Sequence, residues 1–312
     1  MGVRGVPIAQ RIALVFVSLA PLLSQAQIRY SSGQNVVPVY EGWERNPDGS
    51  FNMVFGYMNR NYEEQVDVPI GPENRIEPGG PDQGQPSHFY PRRQEFVFKV
   101  KVPKDWGDKD LVWTLQSHGK AEKAFGSLMP VWELSTLVYL ENRRGAGALT
   151  FPEEPNQAPS IEMVGSSKRT AIVGEPITLS VDVSDDGYPA VVRRRARAAD
   201  SSREGKRDSV TNIFRAQSPV SQAVVSLDPG VRLGVTWVLY QGPGTAHFDT
   251  VRVPVVRADA AGSSGPGVLT GKATTKVTFS EPGTYKLRAY ADDSVLTTAL
   301  DVIVTVQPAN AH

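Results

Sequence analysis

Apolar side chains fall on every second residue in stretch after stretch of the C-terminal half. Examples are Ile177, Leu179, Val181 and Val183, then Val231, Leu233, Val235, Trp237 and Leu239. The pattern returns at Val277 and Phe279, at Tyr285, Leu287 and Ala289, and at Leu300, Val302, Val304 and Val306. A period of two sets one side of an extended chain on a core and the other in water, which a helix of 3.6 residues per turn cannot do. Turn formers separate the stretches: Gly174-Glu-Pro176, Gln241-Gly-Pro-Gly244 and Glu281-Pro-Gly283. With 28 Gly, 24 Pro and no long helical apolar stripe, the chain is predicted to be all-β.

The chain divides near residue 155. Residues 151–159 hold three prolines and no apolar alternation, which predicts a stiff linker. Upstream, strands are predicted at 36–40, 51–57, 65–70, 95–102, 111–116 and 131–140. Residues 71–94 are too rich in Pro and Gly for a helix and are predicted to loop. The expected architecture is two β-sandwich domains in tandem: a β-rich domain over 27–150, a sandwich over 160–308 with a long 187–230 loop, and a short tail at 309–312.

Residues 1–26 carry the marks of a signal peptide. Arg4 and Arg11 form a basic start, residues 12–23 are apolar, and Ser24-Gln25-Ala26 offers small residues for cleavage. As a helix, those twelve residues rise only about 18 Å, short of a ~30 Å hydrocarbon core. The expected product is periplasmic or extracellular, with no transmembrane segment after cleavage. It contains no Cys, so packing rather than disulfides must hold it together. Without Arg4 and Arg11 the balance is 31 basic to 33 acidic residues, which offers nothing to nucleic acid.

Thr236-Trp237, Gln241-Gly-Pro-Gly244, the run 279–289 and Ala291-Asp292-Asp293 together resemble a polycystic-kidney-disease (PKD) type of immunoglobulin-like domain. The likeness spans about 158–308 and is to a divergent branch, because the Trp-Asp-Phe-Gly-Asp-Gly stretch of that family is missing. It implies an immunoglobulin-like sandwich and no particular ligand. Residues 55–94 resemble stretches of uncharacterised secreted bacterial proteins, a resemblance that implies no activity.

Candidate residues follow from these placements. Trp237 is expected in the core of the third strand, and Tyr285 is expected to make the hydrogen bond of a tyrosine corner. Asp185, Asp186, Asp292 and Asp293 finish two strands at one end of the sandwich. They could hold Ca²⁺, or serve as turn residues balanced by nearby arginines. Arg193, Arg194, Arg195 and Arg197 in the long loop would suit an anionic polysaccharide or an acidic partner, or form a solvated insertion. His88, Phe89, Tyr90 and Arg92 could contact sugar or peptide, or pin their loop to its sheet. His88, His118, His247 and His312 form no H-E-x-x-H motif, and no G-x-S-x-G elbow or phosphate loop occurs. The expectation is a non-enzymatic interaction or adhesion module with a protein or polysaccharide partner and no cofactor beyond the Ca²⁺ option. Two alternatives remain, a carbohydrate-binding accessory protein and a hydrolase whose carboxylate pair meets only in space.

Overall fold

A computed structural model of the protein describes residues 30–135, Val138, 157–188, 233–255, 268–293 and 296–309. The expected signal peptide, most of the linker and nearly all of the 187–230 loop, with Arg193, Arg194, Arg195 and Arg197, lie outside these residues. The described chain is all-β, and no helix in it is long and apolar enough to cross a membrane.

The first domain contains β1 (Val36–Arg45), β2 (Phe51–Asn59), β3 (Val66–Asp67), β4 (Asn74–Glu77), β5 (His88–Phe89), β6 (Arg92–Val102), β7 (Leu111–Ser117) and β8 (Lys120–Gly126). Two antiparallel sheets, β1-β2-β6 and β4-β7-β8, face one another, with a short β3–β5 ladder beside them. Alternation selects the inner faces: Met53, Phe55, Phe98 and Val100 meet Ile76, Leu111, Trp113 and Leu115. Trp113 is fully buried, with Phe98 edge-on at 5.0 Å, and its indole N–H donates to Asn74 Oδ1 at 3.0 Å. The Asn74 amide in turn donates to the carbonyls of Val68 and Pro86. One buried side chain thereby ties Val68, before the looped segment, and Pro86, within it, to the core.

Of the strand predicted at 131–140, residues 131–135 form none, and most of the rest lies outside the described residues. Pro130–Trp132 forms a 3₁₀ turn, and Glu133 makes a single parallel bridge with Trp43. Pro130 has a fixed φ and no N–H, which suits the first position of such a turn and not a ladder. Val131 and Trp132 are accordingly exposed. Strand β8 carries no apolar alternation, because its buried positions are only the small Ala124 and Gly126.

The second domain contains β9 (Ser160–Met163), β10 (Lys168–Ile172), β11 (Ile177–Asp185), β12 (Gly234–Gln241), β13 (Ala246–Phe248), β14 (Arg252–Pro254), β15 (Leu269–Phe279), β16 (Gly283–Asp292) and β17 (Thr297–Gln307). Its sheets run β13-β15-β11-β9 and β10-β17-β16-β12-β14, with β10 parallel to β17. This order is that of an immunoglobulin-like sandwich, in which β12, β16 and β17 are the C, F and G strands. Trp237 is fully buried and stacks on Phe248 at 6.5 Å. Tyr285 is also buried, and its hydroxyl donates to the Glu281 carbonyl at 2.9 Å, which is the tyrosine corner expected at this position. A Cβ on Gly242 would strike the Tyr285 ring, so the Gly-Pro-Gly turn needs its first glycine for close approach.

Two strands of the first domain bulge at one level, on either side of β2. Glu41 is an extra residue in β1 between Tyr40 and Gly42, and Gly56 of β2 stands opposite three residues of β6, Glu95, Phe96 and Val97. Phe96 takes φ +51°, rare for an aromatic residue. Glu41 braces the distortion, bonding Arg93 through both carboxylate oxygens at 2.7 Å and reaching the Phe96 N–H at 3.4 Å. Burial raises the Glu41 carboxyl above its usual range, with Arg93 opposing the shift. A Cβ on Gly56 would strike the Glu41 carboxylate and the Gln94 carbonyl, and the carbonyl belongs to the backbone and cannot swing aside. Gly56→Ala is therefore expected to cost about 1–3 kcal/mol in a denaturant titration.

Candidate functional site in the cleft between the two sandwiches

Strand β12 is buried on both faces. From Gly234 to Tyr240 no residue reaches solvent, although only Val235, Trp237 and Leu239 point into the sandwich. The other face meets the first domain, and Tyr240 packs within that domain's hydrophobic cluster. The short β14 pairs only with Gly234–Thr236, so the rest of that edge of β12 has no strand neighbour there. The segment leading into β5 covers it. Ser87 N–H donates to the Tyr240 carbonyl at 3.0 Å, and Leu239 N–H donates to Tyr90 Oη at 2.9 Å. The Gln241 amide donates to the Gln85 carbonyl at 2.7 Å, and the Tyr240 hydroxyl to the Gly84 carbonyl. An open sheet edge is thus satisfied within the molecule.

Arg288 completes the seam. Its guanidinium lies 3.7 Å from the Tyr240 ring centre, grips Asp301 at 2.6 and 2.9 Å, and donates at 3.1 Å to the Val97 carbonyl on the β6 bulge. The planar fork allows all three contacts at once, where a lysine would supply one point charge. The bulge, held by Glu41, brings Val97 to Arg288.

Beyond this seam the outer face of the β16–β17 sheet and the bulged side of the first domain diverge. They enclose a cleft of about 850 Å³, with Glu44, Glu95, Phe96 and Lys99 on one wall and Tyr290 and Ala299 on the other. Lys99 pairs with Glu44 at 2.7 Å, and Arg45 with Glu133 at 4.0 Å. Glu95 forms no ion pair among the described residues.

The four residues of the 88–92 cluster take separate parts in this arrangement. His88 is buried, with Nδ1 at 2.7 Å from Asp67 and Nε2 at 2.8 Å from Gln65. Phe89 is a core residue, and Tyr90 is a seam residue whose N–H donates to Tyr57 Oη at 2.9 Å. Arg92, at φ +66°, lies over the Tyr62 ring at 3.9 Å. These contacts hold the 88–92 segment against its own chain.

The acidic end is occupied by local bonds. Asp185 accepts from Gly187 N–H, Asp186 from Tyr188 and Gln157 N–H, and Asp293 from Leu296 N–H. Asp292, fully buried, pairs with Arg252 at 2.7 and 3.1 Å. Among the described residues no three His, Asp or Glu side chains are placed together to hold a metal ion.

Burial holds the phenols of Tyr57, Tyr90 and Tyr240 above their ordinary value of 10.0. The folded protein keeps protons there that the unfolded chain releases. Its stability is therefore complete below pH 10 and falls as the pH rises through the folded values. An alkaline titration followed by phenolate absorbance should show these tyrosines ionising late and together with unfolding. Smooth titration near the ordinary value would show an open seam.

The chain matches no family model and no curated protein. Among solved structures, the D00-D0 domain of intimin is 11% identical and covers 87% of this chain and 100% of its own, at a TM-score of 0.23. The fibronectin(III)-like modules of Clostridium thermocellum CbhA are 11% identical, covering 89% of this chain and 98% of theirs, at 0.20. Domains 4 and 5 of the S-layer protein SbsC are 10% identical, covering 88% and 98%, also at 0.20. Scores this low carry no argument, and the immunoglobulin-like fold rests on the strand order and the Trp237 and Tyr285 geometry.

Proposed function

We propose that this protein is an exported, non-enzymatic interaction or adhesion module of the bacterial periplasm or cell surface. One observation carries the reading: Tyr240 and Arg288 join an immunoglobulin-like sheet to a second sandwich, so two domains present one composite cleft. Such clefts between domains are favoured places for ligands. The sequence of residues 1–26 supports export. The buried Trp237, the tyrosine corner and the Asp292–Asp293 end fit assignment of the second domain to the PKD type.

A carbohydrate-binding accessory role is the second reading. It is favoured by Trp132, which the 3₁₀ turn leaves 46% exposed beside Tyr40 at a ring distance of 5.9 Å.

The test is binding of the purified protein to washed envelopes of the producing cell, alongside a glycan array and a panel of chromogenic ester, glycoside and peptide substrates. Saturable envelope binding without turnover is expected. Turnover that disappears when a single carboxylate is substituted would replace the module with a hydrolase.

A further inference from the structure

The cleft is bounded by two strand edges as well as by two faces. Along a strand, alternate residues point to opposite sides, so a cavity lying over one face is lined by every second residue. This cleft is lined by consecutive residues on both walls, 95–99 from β6 and 297–299 from β17. Consecutive lining means that the cavity meets these strands along their edges. The pairing agrees: β6 is the last strand of its sheet, and β10 covers β17 only from Ile303 to Gln307. Among the described residues, 298–302 of β17 are paired with β16 alone. The β6 edge is distorted by its bulge, and the Val97 carbonyl already accepts from Arg288. Among the described residues, the regular edge that remains open is that of β17.

We propose that the cleft docks an extended polypeptide segment of a partner protein, which adds as a strand to β17 along residues 298–302 and sets a basic side chain against Glu95. Main-chain pairing supplies the affinity, and the wall side chains select what alternates along the guest. Phe96 and Tyr290 offer rings to apolar guest residues. Glu95 is the cleft carboxylate without a cation among the described residues, so it supplies the charge preference. This deepens the interaction-module reading by naming the class of partner.

The probe is a phage library of linear dodecapeptides panned against the whole protein, with selected peptides synthesised for calorimetry. Enriched sequences should alternate apolar and polar residues and carry Lys or Arg. An edge strand meets its guest through alternate amides, so N-methylation at every second position should weaken binding about tenfold or more, while the positions between tolerate it. Ala299→Trp, which fills the cleft from an exposed position, should abolish binding, and Glu95→Lys should weaken basic peptides about tenfold. The methylation series is read on the unaltered protein, so it stands whatever the variants do. Failure to enrich peptides, or binding indifferent to methylation register, would overturn the proposal. A glycan that binds and is lost in Ala299→Trp would also overturn it. Envelope binding that persists in any of these cases leaves the broader module reading in place.

Discussion

Replacing Trp237 by alanine is expected to lower the unfolding free energy by about 3–5 kcal/mol, the range for a large aromatic side chain removed from a packed core. The indole is fully buried, stacks on Phe248 and belongs to the cluster that fills the space between the two sheets. Its ring N–H has no hydrogen-bond partner among the described residues. Trp237→Phe should therefore cost much less, under about 1.5 kcal/mol, because it keeps an aromatic ring and forfeits no bond seen here. Urea titrations of the two variants measure both numbers. A Trp237→Ala protein that melts like the parent but fails to bind would move this residue from the core to a ligand site.

The second large effect is expected at Tyr240. Its ring fills a place in the first domain's core, while its backbone belongs to the second domain's sheet. Truncation to alanine removes the ring, the hydroxyl bond to Gly84 and the surface on which Arg288 lies, at a cost of about 3–5 kcal/mol. The consequence differs in kind from that at Trp237. Each sandwich retains its own inner faces, so loss of the seam should split one unfolding transition into two, resolved by calorimetry. A single sharp transition in Tyr240→Ala, shifted or not, would mean that the ring does not couple the domains.

Much of the second domain was legible because one face of each strand is wet, and alternation reports that condition directly. The seam was harder to see for the same reason. In β12 the alternation of Val235, Trp237 and Leu239 drew attention to one face, while Val238 and Tyr240 on the other made the run nearly continuous. A continuous apolar strand is the mark of burial on both sides, and that signal pointed to a docked partner layer. Tyr90 and His88 looked like site residues because an aromatic and polar loop is ambiguous between contact with a ligand and contact with the rest of the chain. The pairing of Tyr90 with Leu239, 149 residues away, is visible only in the fold. The bulge at Glu95, Phe96 and Val97 left no local trace, since it depends on the register of β6 against β2. The cleft belongs to neither domain alone and so had no sequence motif to announce it.

Tyr240 and Arg288 hold the two sandwiches as one body. The chain lacks cysteine, so a spin-label pair can be introduced without background, at the exposed positions Lys123 in β8 and Thr305 in β17. The most direct test is the distance distribution between these labels by pulsed electron paramagnetic resonance. A single narrow peak in the parent protein, broadened by Tyr240→Ala, is the expected result. A broad distribution in the parent would mean that no seam holds them, because domains that tumble separately cannot share a seam or a cleft.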